Sequence, residues 1–130
     1  MRFFGMVLAL IVGFAPAAFA ADPAEGIWQT QVDDGAYAYV TISPCDAMLC
    51  GVITRTFDSD GEYASENIGK PIVWDMVPGN GGRYGSGKIW QPSTGKVFKS
   101  KMTLSGDILK VAGCVAGGLI CKKQTWSRVQ

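Results

Sequence analysis

Short runs in which apolar and polar residues alternate follow one another along most of this chain, and they predict β-strands. Alternation of this kind sends successive side chains to opposite faces of an extended backbone. Over 36–43, Ala38, Val40 and Ile42 fall on one face and Tyr37, Tyr39 and Thr41 on the other. Over 48–56, Leu49, Gly51 and Ile53 share a face. In 96–104, Phe98, Met102 and Leu104 oppose Lys99, Lys101 and Thr103, and Leu109 and Val111 carry the apolar face onward. Further strands are predicted at 26–31, 84–91, 107–115 and 119–128. Turn residues separate them: Asp33-Asp34-Gly35, Pro44-Cys45-Asp46-Ala47, Pro92-Ser93-Thr94-Gly95, Ser105-Gly106 and Ala116-Gly117-Gly118. Seven to eight short strands joined in sequence order predict an all-β fold, a small antiparallel up-and-down barrel, because closure removes the exposed edges of the sheet.

One stretch breaks the rhythm. Residues 57–82 are rich in turn residues, Asp58-Ser59-Asp60-Gly61 and Pro78-Gly79-Asn80-Gly81-Gly82. Between them Pro71 to Val77 is apolar and reads either as a strand or as one helical turn. A long irregular segment in a small domain is commonly functional, and here it is expected to act as a lid.

The first residues differ in kind. Arg2 precedes an apolar run from Met6 to Phe14, and Ala18-Phe19-Ala20 has the small-x-small form of a cleavage site. The expectation is a secretory signal peptide over 1–20, cut after Ala20, and one domain over 21–130. The run is too short for the ~20 apolar residues of a spanning helix, so no transmembrane segment is expected after cleavage. The protein is placed in the periplasm or outside the cell.

That compartment changes the reading of the cysteines. Cys45, Cys50, Cys114 and Cys121 form an even set in an exported chain, which indicates disulfides. Each of the pairs Cys45–Cys50 and Cys114–Cys121 brackets a turn, so those pairings are expected as hairpin clips. The rival is a zinc site of four thiolates, which the C-x4-C and C-x6-C spacings fit poorly.

Charge is divided along the sequence. Residues 21–82 hold two basic and ten acidic side chains, and residues 83–130 nine basic and one acidic. Two readings follow: halves that close on each other with complementary charge, or an exposed basic face built from Lys96, Lys99, Lys101, Lys122 and Lys123. Nucleic acid is not an expected partner in this compartment.

Several spaced motifs now converge. Gly26-x-Trp28, Cys45-x4-Cys50-Gly51, Ile89-Trp90-x-Pro92-x-x-Gly95-Lys96, Leu109-Lys110-Val111-x-Gly113-Cys114 and Gln124-x-Trp126-x-Arg128 resemble a bacterial family of exported domains of unknown function, numbered two-one-four-seven. The resemblance spans the whole chain after residue 20, and its specific part runs from Trp90 to Val129. It implies a short lipocalin-like (calycin) barrel without an agreed biochemical activity. It also implies that Trp28 fills one barrel end with Arg128 lying over it, a structural role shared by Trp126. The chain departs from the family at Glu66-Asn67-Ile68-Gly69-Lys70-Pro71, where members carry an Asn-Pro-Asp-like segment followed by basic residues.

Catalytic constellations are scarce. The chain has no histidine, which removes Ser-His-Asp and Cys-His mechanisms and His-ligated metals. Asp58-x-Asp60-Gly61-Glu62 is an incomplete calcium loop that turn chemistry explains. Asp75 and Glu66 are a candidate carboxylate pair for a hydrolase, but no spacing supports them. No enzyme activity, cofactor or metal is expected. The leading expectation is a binding module for a small apolar or amphipathic molecule, with Trp74, Phe98, Met102 and Leu109 lining the site. The alternative is an envelope structural or protein-interaction module with a filled barrel, making contact through Tyr37 and Tyr39 or through the lysine strand.

Overall fold

The computed structural model describes residues 21–130, with Gly5 and Gly13 ahead of them, so the expected leader and its cleavage site lie outside the described residues. The strands are β1 (Gly26–Gln29), β2 (Tyr37–Cys45), β3 (Met48–Asp58), β4 (Gly61–Tyr63), β5 (Pro71–Pro78), β6 (Arg83–Gln91), β7 (Lys96–Ser105), β8 (Ile108–Val115) and β9 (Ile120–Arg128). All neighbours pair antiparallel, and β9 returns to β1 to close an eight-stranded barrel. The ninth strand, β4, lies outside the ring as a short hairpin on the far end of β3.

The alternation seen in the sequence becomes the inside and outside of this barrel. Val40, Ile42, Leu49, Ile53, Met102, Leu109 and Val111 are buried inside it. On the outer face, Lys101 and Lys123 flank Ala112 as its register partners on either side. Their aliphatic stems cover a residue only 2% exposed.

One end of the barrel is shut. Trp28 and Trp126 are fully buried there, and residues 22–25 fold across the opening. The Trp28 indole N–H donates to the carbonyl of Ala24 (2.9 Å). Arg128 lies over the Trp28 ring, its Cζ 4.3 Å from the ring centre. Its guanidinium donates to the carbonyls of Glu25 (3.1 Å) and Pro23 (2.6 Å) and to the Asp107 carboxylate (3.1 Å). From β6 the Tyr84 hydroxyl donates to Asp22 (2.5 Å). Burial, and then the Asp22 hydrogen bond, hold this phenol above its usual range.

Both expected disulfides are present, Cys45–Cys50 at the β2–β3 turn and Cys114–Cys121 between β8 and β9. They consume the thiolates that a zinc site would need. The two bonds fit an oxidising compartment outside the cytoplasm. Among the described residues no helix is long and apolar enough to cross a membrane.

Two expectations need correction. Much of 57–82 is strand rather than irregular lid: β3 runs to Asp58, a tight turn through Ser59 and Asp60 leads into β4, and Pro71–Pro78 is a barrel strand. The Asp58 carboxylate accepts the Asp60 N–H (2.8 Å), and Arg55 pairs with Glu62 across the hairpin. The acidic motif is therefore a turn and an ion pair. The second correction concerns charge. The acidic and basic sequence halves form two adjoining walls, β1–β5 and β6–β9. The two ion pairs, Arg55–Glu62 and Arg128–Asp107, each stay within one half. Among the described residues no ion pair joins the halves, and Lys96, Lys99, Lys101, Lys122 and Lys123 are all exposed.

Candidate functional site

The barrel is not filled along its length. A cavity of about 670 Å³ opens at the end opposite Trp28. That volume falls within the range of small-molecule sites. Its wall is apolar: Ala38 from β2, Ile53 from β3, Ile72 from β5, Ile89 from β6 and Phe98 from β7.

Polar groups enter at chosen depths. On β9, Ile120, Lys122, Gln124 and Trp126 are register partners of Val115, Gly113, Val111 and Leu109, so all four occupy the inward phase. Trp126 belongs to the closed end. Its indole N–H donates to the Gln124 side-chain oxygen (2.8 Å), which fixes the amide at the base of the cavity. Among the described residues the Gln124 NH2 makes no hydrogen bond, so two donors remain for an occupant. Thr30 also lines the cavity, and its hydroxyl accepts the Ala38 N–H (2.9 Å). Thr56 donates to the Tyr63 carbonyl (2.6 Å), tying the β4 hairpin to the rim. The mouth is bounded by Asp33 and Asp34 on the β1–β2 loop, by Tyr63 at the end of β4, by Ser65 and Asn67 after it, and by Gln91 and Lys122. The Lys70 ammonium lies 5.6 Å from the centre of the Trp90 ring at this rim.

The four residues expected to line a site separate in space. Phe98 faces the cavity. Met102 and Leu109 are buried in the core and do not line it. Trp74 borders a shallow external depression of about 460 Å³, together with Lys88, Val97, Lys99 and Val115. Asp75 and Glu66 lie on different segments and neither borders the cavity. Tyr37 and Tyr39 are half-buried by Phe57, at 4.9 and 4.7 Å between ring centres.

Gln124 and Thr30 were not among the expected site residues. A signal existed for one of them. Strict alternation over 120–126 puts Lys122 and Gln124 in phase with Ile120 and Trp126, and polar residues at inward positions of a small barrel are unusual unless a cavity reaches them. Nothing comparable marks Thr30, whose place depends on where β1 ends.

A family model described as "Uncharacterized protein conserved in bacteria (DUF2147)" matches residues 26–128. Among solved structures the chain is similar to protein HP1028 from the human pathogen Helicobacter pylori, a protein described as belonging to the lipocalin family. The two share 18% identity with a TM-score of 0.68, over 82% of each chain. A likeness at that identity bears on the fold alone. No curated protein matches the sequence.

Proposed function

The chain belongs to this bacterial DUF2147 family, with a lipocalin-like barrel, and from that premise we propose that it binds one small apolar or amphipathic molecule in the open half of the barrel. The observation that carries the reading is the cavity itself: an apolar wall above an oriented amide, Gln124, with Lys122 at the mouth. Such a site takes a hydrocarbon body along Ile53, Ile72, Ile89 and Phe98. A polar end satisfies Gln124 at the base or Lys122 at the rim. Among the described residues the Thr30, Thr56 and Ser65 hydroxyls that line the cavity bond to backbone groups and not to a base, which suits binding rather than turnover. Export to the periplasm or beyond is part of this reading, supported by the signal-peptide pattern of residues 1–20 and by the two disulfides, and lipids and secreted metabolites are the ligands available there.

Native mass spectrometry of gently purified protein, followed by titration with a fluorescent medium-chain fatty acid after delipidation, tests this. The expected result is a small-molecule adduct on the wild type and saturable binding of the probe. Ala38→Phe, which fills the wall, should weaken probe binding by about tenfold or more. A delipidated wild type that gives no saturable signal would refute the reading.

A further inference from the structure

We propose that the β8–β9 hairpin tip is a membrane-docking element that seats the open end of the barrel on an anionic lipid bilayer. The tip reads Val115-Ala116-Gly117-Gly118-Leu119-Ile120, six residues without a polar side chain. Leu119 is 88% exposed, Ile120 64% and Val115 47%, and Val97 beside them on β7 is 52% exposed. A contiguous apolar surface of this kind is not what a protein leaves in water without an occupant. The disulfide Cys114–Cys121 closes the hairpin immediately behind the tip. The tip is therefore held at the rim of the barrel, with Leu119 projecting into solvent and Val115 and Ile120 on the side of the mouth.

Charge names the occupant. Lys122 and Lys123 follow the tip after Cys121, and Lys96 precedes Val97. Lys88 and Lys99 sit directly opposite each other across β6 and β7. Like charges in that position oppose sheet pairing, so this pair is not there for stability. None of these lysines is in an ion pair among the described residues. An apolar tip framed by uncompensated lysines is the pattern of an interfacial anchor: the apolar part enters the headgroup region and the ammonium groups meet lipid phosphates. The acidic wall, including Asp33 and Asp34 across the mouth, is repelled by the same surface. An anionic bilayer thus tilts the barrel so that the hairpin leads. Val115 and Ile120 also border the cavity mouth, so the seated protein presents its cavity to the bilayer.

This surface is independent of whether the cavity holds a ligand, and the two readings fail separately. The test is co-sedimentation of the purified protein with vesicles of phosphatidylglycerol and phosphatidylcholine in equal parts, and with phosphatidylcholine alone. Binding is expected to the anionic vesicles only, and to fall as salt rises. Leu119→Asp should weaken it about tenfold, and the pair Lys96→Glu with Lys99→Glu about as much. Both variants change exposed positions, and unchanged far-ultraviolet circular dichroism confirms that they fold. Both should bind the fatty-acid probe as the wild type does. Failure to sediment with anionic vesicles overturns the proposal, as does binding that Leu119→Asp leaves intact. Sedimentation velocity covers the other occupant: a dimer dissolved by Leu119→Asp assigns the tip to a second copy of the chain and also overturns it. Vesicle binding by a wild type that ignores the probe sinks the cavity reading and spares this one.

Discussion

Arg128 does more at the closed end than any other side chain. It is three-quarters buried, stacks on Trp28 and donates to two carbonyls of the segment that folds over the barrel end. The bond to Glu25 is part-buried and the one to Pro23 exposed, so each contributes about 0.5–1.5 kcal/mol net. The cation–π contact adds about 0.5–2 kcal/mol. Because residues 22–25 detach together with it, these terms do not simply add, and Arg128→Ala should cost about 3 kcal/mol in total, a Tm fall of roughly 10 °C or more for a domain of this size. Arg128→Lys keeps the charge but not the planar fork, and should recover less than half of that loss. Thermal melts followed by circular dichroism check both, and an alanine variant that melts with the wild type would mean that the segment is held by other contacts. The Trp28–Arg128 pairing was implied by the family resemblance. The carbonyls that complete it were not legible, because Pro23 and Glu25 meet Arg128 from across a hundred residues of sequence.

The strands themselves were legible wherever alternation was strict, and so were the clips at their turns. β5 was not, and the reason is local. Read with an unbroken period of two, Ile72, Trp74 and Met76 share a face, which puts Trp74 inside. In the structure the register against β3 shifts on both sides of Gly51↔Val73, and Asp75 takes a positive φ of 56°. These bulges turn Ile72, Val73 and Met76 inward and leave Trp74 outside. Alternation predicts a face only until a bulge resets the phase. The same bend explains Gly51. A Cβ there would stand 2.8 Å from both Val40 Cγ1 and Val73 Cγ2. Both neighbours are β-branched and stiff, so Gly51→Ala should destabilise by about 1–3 kcal/mol through overpacking. Gly85→Ala, where nothing lies within 4 Å, is the matched control and should change stability by less than about 0.5 kcal/mol. Urea titration separates the two, and equal midpoints would show that β3 has room to shift.

Across the whole molecule, packing is concentrated at one end and the cavity at the other. Alternation alone cannot reveal that division, since it assigns inside and outside but not depth along the barrel axis. Met102 and Leu109 are inward like Phe98 yet sit below the cavity, which is why equal sequence signals lead to unequal positions. The division also shapes the seam that closes the barrel. At the shut end β1 and β9 are joined by the pairs Trp28↔Arg128 and Gln29↔Ser127 and by backbone bonds from Ile27 to Val129 and Gln130. Beyond Gln29 the ladder stops, and the Gln31 side chain takes over, accepting the Thr125 N–H at 2.9 Å. The cavity reaches this stretch, and Thr30, Gln31 and Gln124 border it. A seam held by one side chain opens more readily than a ladder, and under the proposed binding it is the route by which an occupant too long for the mouth would enter. Gln31→Ala removes a bond with a net contribution of about 0.5–1.5 kcal/mol. Hydrogen exchange at the Thr125 amide should then quicken by several-fold, while the amides around Trp28 and Trp126 keep their protection. Probe association and dissociation should both accelerate, with the dissociation constant little changed, because the seam gates the cavity without lining its apolar wall. Exchange at Thr125 that ignores the substitution, or kinetics that change only in the off-rate, would assign Gln31 to the binding surface instead of the gate.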